Sequence, residues 1–209
     1  CVRSRWAYTL ACAFEYFVAL MVTDAFLANL LSHMGIEDAV VGIISSLISL
    51  TCVFQLLSML VVQRICNTKK YSMTLQAIGR LMFMSLYLIP FLPFAKEYRG
   101  ALIVAGIVLA YLCYYLATAV TFKWGNSYVD PKKRAEFSAV NEMVSLILGM
   151  IVTMVVGYVM DAFEAADNLE GGFIFCALAI LIFATCDLTC LLLIKNDIKP
   201  KAKQETVPM

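Results

Sequence analysis

Six long apolar runs dominate the sequence and restrict what the chain can fold into. The runs lie at about residues 7–31, 39–62, 72–94, 101–122, 142–160 and 173–194. A helix that crosses the hydrocarbon core of a bilayer needs about 20 largely apolar residues. The runs are continuous rather than alternating, which favours helices over the strands of a membrane barrel. We therefore predict an all-α, polytopic membrane protein in which residues 1–209 form a single domain of six transmembrane helices.

The composition agrees with this prediction. Hydrophobic residues make up 62% of the chain and charged residues only 15%, whereas about a quarter of the residues of soluble domains are charged. The formal net charge is +1, so no basic excess indicates a nucleic-acid partner. The expected surroundings are a lipid bilayer, with short polar loops outside it.

The charged residues are segregated between alternate loops. Thirteen of the 16 basic residues lie at the N-terminus, in the loops after the second and fourth runs, or after the sixth run. These residues are Arg3, Arg5, Arg64, Lys69, Lys70, Lys123, Lys132, Lys133, Arg134, Lys195, Lys199, Lys201 and Lys203. Because loops rich in Lys and Arg stay in the cytoplasm, we predict that both termini, including the tail 195–209, are cytoplasmic.

Three ionisable residues lie within the predicted spans, namely Glu15, Arg80 and Asp187. Each is eight or nine residues from the cytoplasmic boundary of its span, a depth of about 12–14 Å. A charge at that depth is costly, so such residues mark functional sites by default. Two readings stay open: a cluster that binds a substrate or a proton, and a static arrangement that only neutralises Arg80. Asp24 and Glu142 are expected nearer the membrane interface.

Uncharged polar side chains on other spans could complete a binding cavity. The candidates are Gln55 on the second span, Gln76 on the third, and Tyr111, Tyr115 and Thr118 on the fourth. Tyrosines combine an aromatic face with a hydroxyl that can donate or accept a hydrogen bond. The alternative for the tyrosines is membrane anchoring or core packing.

Small residues recur every fourth position along the fifth span, at Ser145, Gly149, Thr153 and Gly157. Such a stripe lets another helix approach closely. Packing within the bundle is one reading, and a dimer interface is the other.

Sequence signatures of enzymes and metal sites are missing. The chain has no nucleophile elbow, no zinc-protease helix and no P-loop. Cys186, Asp187 and Cys190 fall within one helical turn, but the only histidine, His33, lies in an outer loop. We expect no enzymatic activity, no bound metal and no cofactor.

Three stretches resemble the N-terminal half of a major facilitator superfamily transporter, and more narrowly a branch found in gut Firmicutes. They are Trp6 to Phe17 (WAYTLACAFEYF), Gly42 to Leu57 (GIISSLISLTCVFQLL) and Trp124 to Gly149 (WGNSYVDPKKRAEFSAVNEMVSLILG). The resemblance covers essentially the whole chain. It implies two six-helix halves that rock about a central site to give alternating access, in a bacterial plasma membrane.

The resemblance also implies roles for individual residues. Spans one, two, four and five line the central site of that superfamily, and the candidates on them are Glu15, Gln55, Tyr111 and Tyr115. Spans three and six are peripheral there, which implies supporting roles for Arg80 and Asp187. The superfamily's loop motif after span two is eroded: Met59, Gln63 and Cys66 replace its glycine, aspartate and second glycine, and Arg64 is retained. The span-four arginine motif of proton-coupled members and the span-five Gly-Pro motif of antiporters are missing.

We therefore expect part of a secondary transporter that moves a small solute, either an organic anion or an amphipathic compound. The chain starts at Cys1, and the tail from Lys195 resembles the start of a central loop, so the expected partner is a second six-helix half. Two alternatives stay open. One is a six-helix protein that transports as a homodimer, and the other is a non-transporting scaffold or receptor.

Overall fold

The computed structural model describes residues 2–36, 38–62, 65, 67–92 and 96–194. Every regular element among them is helical, so the all-α prediction is confirmed. The helices are α1 (Val2–Met21), α2 (Asp24–His33), α3 (Asp38–Thr51), α4 (Phe54–Val62), α5 (Thr68–Leu86), α6 (Lys96–Asn126), α7 (Arg134–Ala165) and α8 (Leu169–Leu193). The predicted tail 195–209 and the loop-motif residues Gln63, Arg64 and Cys66 lie outside the described residues.

Five helical segments are long and apolar enough to cross a membrane. They are Arg3–His33, Ala39–Ser58, Tyr98–Asn126, Pro131–Ala165 and Leu169–Leu193. Large apolar side chains are exposed along them, including Leu56 at 65% and Met154 at 71%. Exposed apolar surface on this scale is expected of a membrane protein, because lipid solvates it.

The third apolar run forms α5, which is not among these five segments. The polar residues Ser72, Gln76 and Arg80 are all buried on the inner face of α5. Apolar side chains such as Ile78 and Leu81 occupy its exposed face. The low average apolarity of this helix therefore comes partly from the face that contacts other helices and partly from Lys69 and Lys70 in its first turn.

The first apolar run is two helices rather than one. It is interrupted at Thr23, whose hydroxyl donates a hydrogen bond to the carbonyl oxygen of Ala19 at 3.1 Å. A side chain that bonds to the preceding turn competes with the helical ladder and favours a bend. The hydroxyl of Tyr87, just after α5, donates to the main-chain oxygen of Met21 at the end of α1, so the carbonyl at the break has a partner.

The second run is interrupted in a similar way between α3 and α4. The amides of Cys52 and Val53 bond to carbonyl oxygens only three residues back, those of Ser49 and Leu50. Bonds of this spacing are tighter than those of an α-helix and mark a local change of direction. The fifth span starts earlier than its apolar run at residue 142, because α7 begins at Arg134, directly after the Asp130–Pro131 turn.

The bundle is held together by a small set of helix pairs. α1 packs against α7 and α8, α6 packs against α4 and α5, and α5 packs against α8. Two separate apolar clusters fill the interior. The larger includes Val18, Phe83 and Ile180, and the smaller, nearer the start of α1 and the end of α8, includes Ala11 and Leu191. The residues between the two clusters along α1, α5 and α8 form a distinct layer.

The small-residue stripe on α7 is only partly used for packing. Ser145 is 2% exposed, and a Cβ atom added to Gly149 would lie 2.5 Å from the Tyr16 ring on α1. Gly157 is different, because nothing lies within 4 Å of a Cβ added there. The stripe therefore supports packing within the bundle at one end and is open at the other.

This difference predicts opposite effects of two alanine substitutions on the same helix. Gly149→Ala forces Tyr16 to move, and overpacking of this kind lowers the free energy of unfolding by about 1–3 kcal/mol. Gly157→Ala meets no obstacle and gains up to about 1 kcal/mol from helix propensity. Thermal unfolding of both variants in one detergent measures the effect; equal midpoints would contradict the close contact at Gly149.

Candidate functional site

A buried arginine joins three helices in the layer between the two apolar clusters. The Nη2 atom of Arg80 on α5 lies 3.1 Å from Oδ2 of Asp187 on α8. The same nitrogen lies 3.5 Å from Oε1 of Glu15 on α1. The structure thus brings together the three charged residues that the sequence places at one depth. The long distances between them along the chain are closed by the packing of α1 and α5 on α8.

The two carboxylates contact Arg80 differently. Asp187 is 0% exposed and accepts a hydrogen bond from Arg80. Glu15 is 16% exposed, and its separation from Nη2 is at the outer edge of hydrogen-bond range. Asp187 is therefore the tight, enclosed partner of the guanidinium, and Glu15 is the looser one with an accessible face.

Aromatic rings surround the charged layer. The ring centroid of Tyr114 on α6 lies 5.8 Å from the guanidinium carbon of Arg80, a distance at which a cation and an aromatic face attract. The rings of Phe17 and Phe183 meet edge to face at 5.3 Å between α1 and α8. The Tyr114 ring therefore covers one side of the Arg80 guanidinium.

The accessible face of Glu15 opens onto a cavity of about 200 Å³ between α1, α6 and α7. The cavity is lined by Tyr8, Cys12, Glu15, Tyr16, Tyr114, Thr118, Thr121, Phe122, Glu142 and Ser145. Two of these ten residues are carboxylates and four are aromatic. None of them is Lys or Arg.

Polar contacts between helices fix the walls of this cavity. The hydroxyl of Thr9 on α1 donates to the side-chain oxygen of Asn141 on α7 at 2.6 Å. On the opposite side, Thr121 on α6 contacts the Ser72 hydroxyl and accepts a hydrogen bond from Gln76 Nε2 at 3.0 Å. Buried polar pairs of this kind hold helices in one register.

The predicted binding residues separate into two groups. Glu15 and Thr118 line the cavity. Tyr111 does not: it is 4% exposed, and its ring meets that of Phe83 edge to face at 5.0 Å. Tyr115 stacks on Tyr111 at 6.0 Å, and Gln55 is exposed on α4. For the two tyrosines, the core-packing alternative describes their position better than the cavity wall.

Several residues that line the cavity were not predicted as binding residues. On α6 these are Tyr114 and Thr121, which lie one turn before and one turn after the predicted Thr118 and share a face with it. Glu142 lies about two turns inside α7, because that helix already begins at Arg134. The start of α7 after the Asp130–Pro131 turn was the available sequence signal for the depth of Glu142.

No group of three or more His, Cys, Asp and Glu side chains that could hold a metal ion occurs in the part of the chain that the structure describes. No protein-family model, curated protein or solved structure matches the chain. The candidate site is therefore defined by its own geometry: a charged layer of three helices that opens at Glu15 onto an aromatic, acidic cavity.

The different contacts of the two carboxylates predict different energetic coupling to Arg80. Removing one member of a buried ion pair costs about 3–5 kcal/mol, because the other charge stays buried without a partner. We expect Arg80→Gln to destabilise the protein on that scale. We also expect Arg80→Gln/Asp187→Asn to recover part of the loss, and Arg80→Gln/Glu15→Gln to recover less. Double-mutant cycles on unfolding measure both couplings; a larger coupling for Glu15 would reverse the assignment.

Proposed function

We propose that this chain is one six-helix half of a secondary transporter of the major facilitator type, and that it moves a small solute by alternating access. The observation that carries the proposal is the ion layer at Glu15, Arg80 and Asp187, which opens at Glu15 onto the cavity. Transporters of this kind bind their substrates near the membrane midplane between helices that can move. A static structural pair needs no such opening.

Six membrane crossings are part of the proposal, with α5 as the third. The 19 residues of α5 extend over about 28 Å, close to the thickness of the hydrocarbon core of about 30 Å. Its charged residue Arg80 is buried against Asp187 rather than exposed to lipid. Six crossings and the segregation of basic residues would leave both termini in the cytoplasm of a bacterial cell.

The pattern of helix pairs supports a transporter built from two related three-span units. The first span (α1 with α2) contacts the fifth and sixth (α7 and α8), and the fourth (α6) contacts the second (α3 with α4) and the third (α5). Exchanging the first three spans with the last three leaves these contacts unchanged, whereas the contacts of α7 with α8 and of α2 with α3 have no counterpart of similar size among the described helices. The contact between the third span (α5) and the sixth (α8) is also kept, because the exchange only swaps its two members. Repeats of this kind underlie alternating access in many transporters.

Two spans are poorly covered by the rest of the bundle. Only 11% of the apolar stretch of Ala39–Ser58 and 22% of that of Pro131–Ala165 is buried. Exposed faces on the second and fifth spans are where a further six helices would complete a path for the solute. A second copy of the chain is the alternative occupant, and the open Gly157 end of the α7 stripe favours it.

The six-span topology can be tested by accessibility from the two sides of the membrane. We expect a cysteine introduced at Ser127, between α6 and α7, to react with an impermeant thiol reagent only from the cytoplasmic side. A cysteine introduced at Asp167, between α7 and α8, should react only from the other side. The native cysteines are first replaced in both variants. Reaction at both positions from one side would exclude the proposed crossing by α7.

Alternating access predicts two-sided reactivity in the cavity. Cys12 lines the cavity beside Glu15, so a variant that retains only this cysteine reports on access. We expect labelling by an impermeant reagent from either side of sealed vesicles, because the cavity opens in turn to each. A matched variant that retains only Cys176, which is 0% exposed in the core, should stay unlabelled from both sides.

The same measurement separates the proposed transporter from a scaffold or receptor. A cavity that never changes its opening would let Cys12 react from one side only. That result would contradict alternating access even if the chain bound a ligand. The mass of the labelled species in lipid nanodiscs then distinguishes a single copy from the homodimer.

A further inference from the structure

The cavity beside Glu15 has a chemistry that selects its ligand by charge. Its walls carry the carboxylates of Glu15 and Glu142, and no basic side chain is among its lining residues. An anion in this space would meet two negative charges across walls of low polarity. A cation would meet two attractive partners.

The charges of the ion layer do not balance without an additional cation. When all groups are ionised, the carboxylates of Glu15 and Asp187 face the one guanidinium of Arg80, and the exposed Glu142 adds a further negative charge to the cavity wall. Arg80 is already hydrogen-bonded to Asp187 at 3.1 Å, and the structure shows no ion-pair partner of Glu142 among the described residues. Unbalanced negative charge inside a membrane bundle is costly, and a bound cation would remove that cost.

A second, independent feature indicates that the cavity is built to hold a polar ligand. The Ser145 side chain lines it, is 2% exposed, and its Oγ atom has no hydrogen-bond partner in the described part of the chain. A buried hydroxyl without a partner is rare and unfavourable. Ser145 and Glu142 are three residues apart on α7, so they lie on neighbouring positions of one helix face.

Aromatic rings supply the remaining walls. Tyr8, Tyr16, Tyr114 and Phe122 line the cavity, and aromatic faces attract organic cations and pack against apolar groups. The Tyr16 ring lies against Gly149, so these two residues are at about the same depth. Glu15 immediately precedes Tyr16 on α1, and Glu142 lies about two turns before Gly149 on α7, so the two carboxylates differ in depth by about 9 Å. The carboxylates are therefore at different depths, with rings between and beside them.

We propose that this cavity binds a small organic cation that carries an aromatic or similar apolar group, with its charge held by Glu15 and Glu142. The proposal rests on the transport function above and names the class of its substrate, an amphipathic cation, where the sequence left an organic anion or an amphipathic compound open. The volume of about 200 Å³ is below the 300–1,000 Å³ typical of drug-sized pockets. The ligand is therefore a compact amine or quaternary ammonium compound rather than a large drug.

The test is equilibrium binding of radiolabelled benzyltrimethylammonium to the full chain in lipid nanodiscs. This probe has a permanent charge, so its binding does not depend on its own protonation. We expect saturable binding that unlabelled benzyltrimethylammonium displaces and that equal concentrations of phenylacetate or of the uncharged isostere neopentylbenzene do not. Equal displacement by phenylacetate, or no saturable binding, would overturn the proposal. If protons alone balance the charge of the cavity, no saturable binding of benzyltrimethylammonium is expected.

Three substitutions test which carboxylates contribute to binding of the cation. We expect Glu15→Gln to weaken binding about tenfold or more, and Glu142→Gln to weaken it severalfold. Glu136→Gln is the matched control, because Glu136 is exposed on the same helix and is not a lining residue; it should leave the dissociation constant within about twofold. A loss with Glu136→Gln as large as that with Glu15→Gln would show nonspecific attraction and overturn the assignment.

A second measurement leaves both carboxylates unchanged, so it can be made even if a carboxylate variant does not fold. In the variant that retains only Cys12, benzyltrimethylammonium should slow labelling of the thiol and phenylacetate should not. Binding needs no translocation, so its failure is distinguishable from failure of the proposed function. Two-sided labelling of Cys12 without cation binding leaves the transport proposal standing and removes this one, and cation binding with one-sided labelling does the reverse.

Discussion

A guanidinium held between two carboxylates inside an apolar bundle constrains the positions of three helices at once. Arg80 belongs to α5, Asp187 to α8 and Glu15 to α1. A membrane provides no water to solvate any of these charges if one helix moves away from the others. The three helices must therefore move together, or exchange one favourable arrangement of the charges for another. Because Arg80 reaches both carboxylates through a single nitrogen atom, a second arrangement requires only a small movement of its side chain.

The charged layer lies between two apolar clusters, one on each side of it. Each cluster is tightly packed, and its end of the bundle is fixed by polar contacts. At the smaller cluster, Lys69 Nζ donates to the carbonyl oxygens of Leu192 and Ile194 at 2.8 and 2.6 Å, which satisfies the exposed end of α8. At the larger cluster, the hydroxyl of Tyr87 bonds to Met21 at the break between α1 and α2. The layer between the clusters contains the buried charges and borders the cavity at Glu15.

The sequence predicts depth well and orientation around a helix axis poorly, and this difference explains the outcome for the site. The depths of Glu15, Arg80 and Asp187 follow from a fixed rise per residue, so their common level could be predicted before their contact was known. The face of α6 that lines the cavity depends on how α6 packs against its neighbours. Tyr111 and Tyr115 differ from the lining residue Tyr114 only in angle, which the apolar pattern of a helix buried on several sides does not encode.

The same reasoning separates the parts of the fold that could be predicted from those that could not. Long apolar runs predict helices, and five of the helical segments have the length and composition of membrane spans. The breaks at Thr23 and near Cys52 were not predictable from apolarity, because hydroxyl residues are equally compatible with a straight helix. For α5, average apolarity is a misleading measure, since its residues Ser72, Gln76 and Arg80 face the neighbouring helices rather than lipid.

The unequal contacts of the two carboxylates assign them different tasks in the proposed transport cycle. Asp187 is enclosed and hydrogen-bonded to Arg80, so it can balance the guanidinium when Glu15 does not. Glu15 is partly exposed to the cavity, so it can exchange Arg80 for a cation that enters there. Binding of the cation would then loosen α1 from α5 while α5 and α8 stay joined through Asp187. Since α1 also forms one wall of the cavity and packs against α7, an event at Glu15 would change the helix contacts that open and close the cavity.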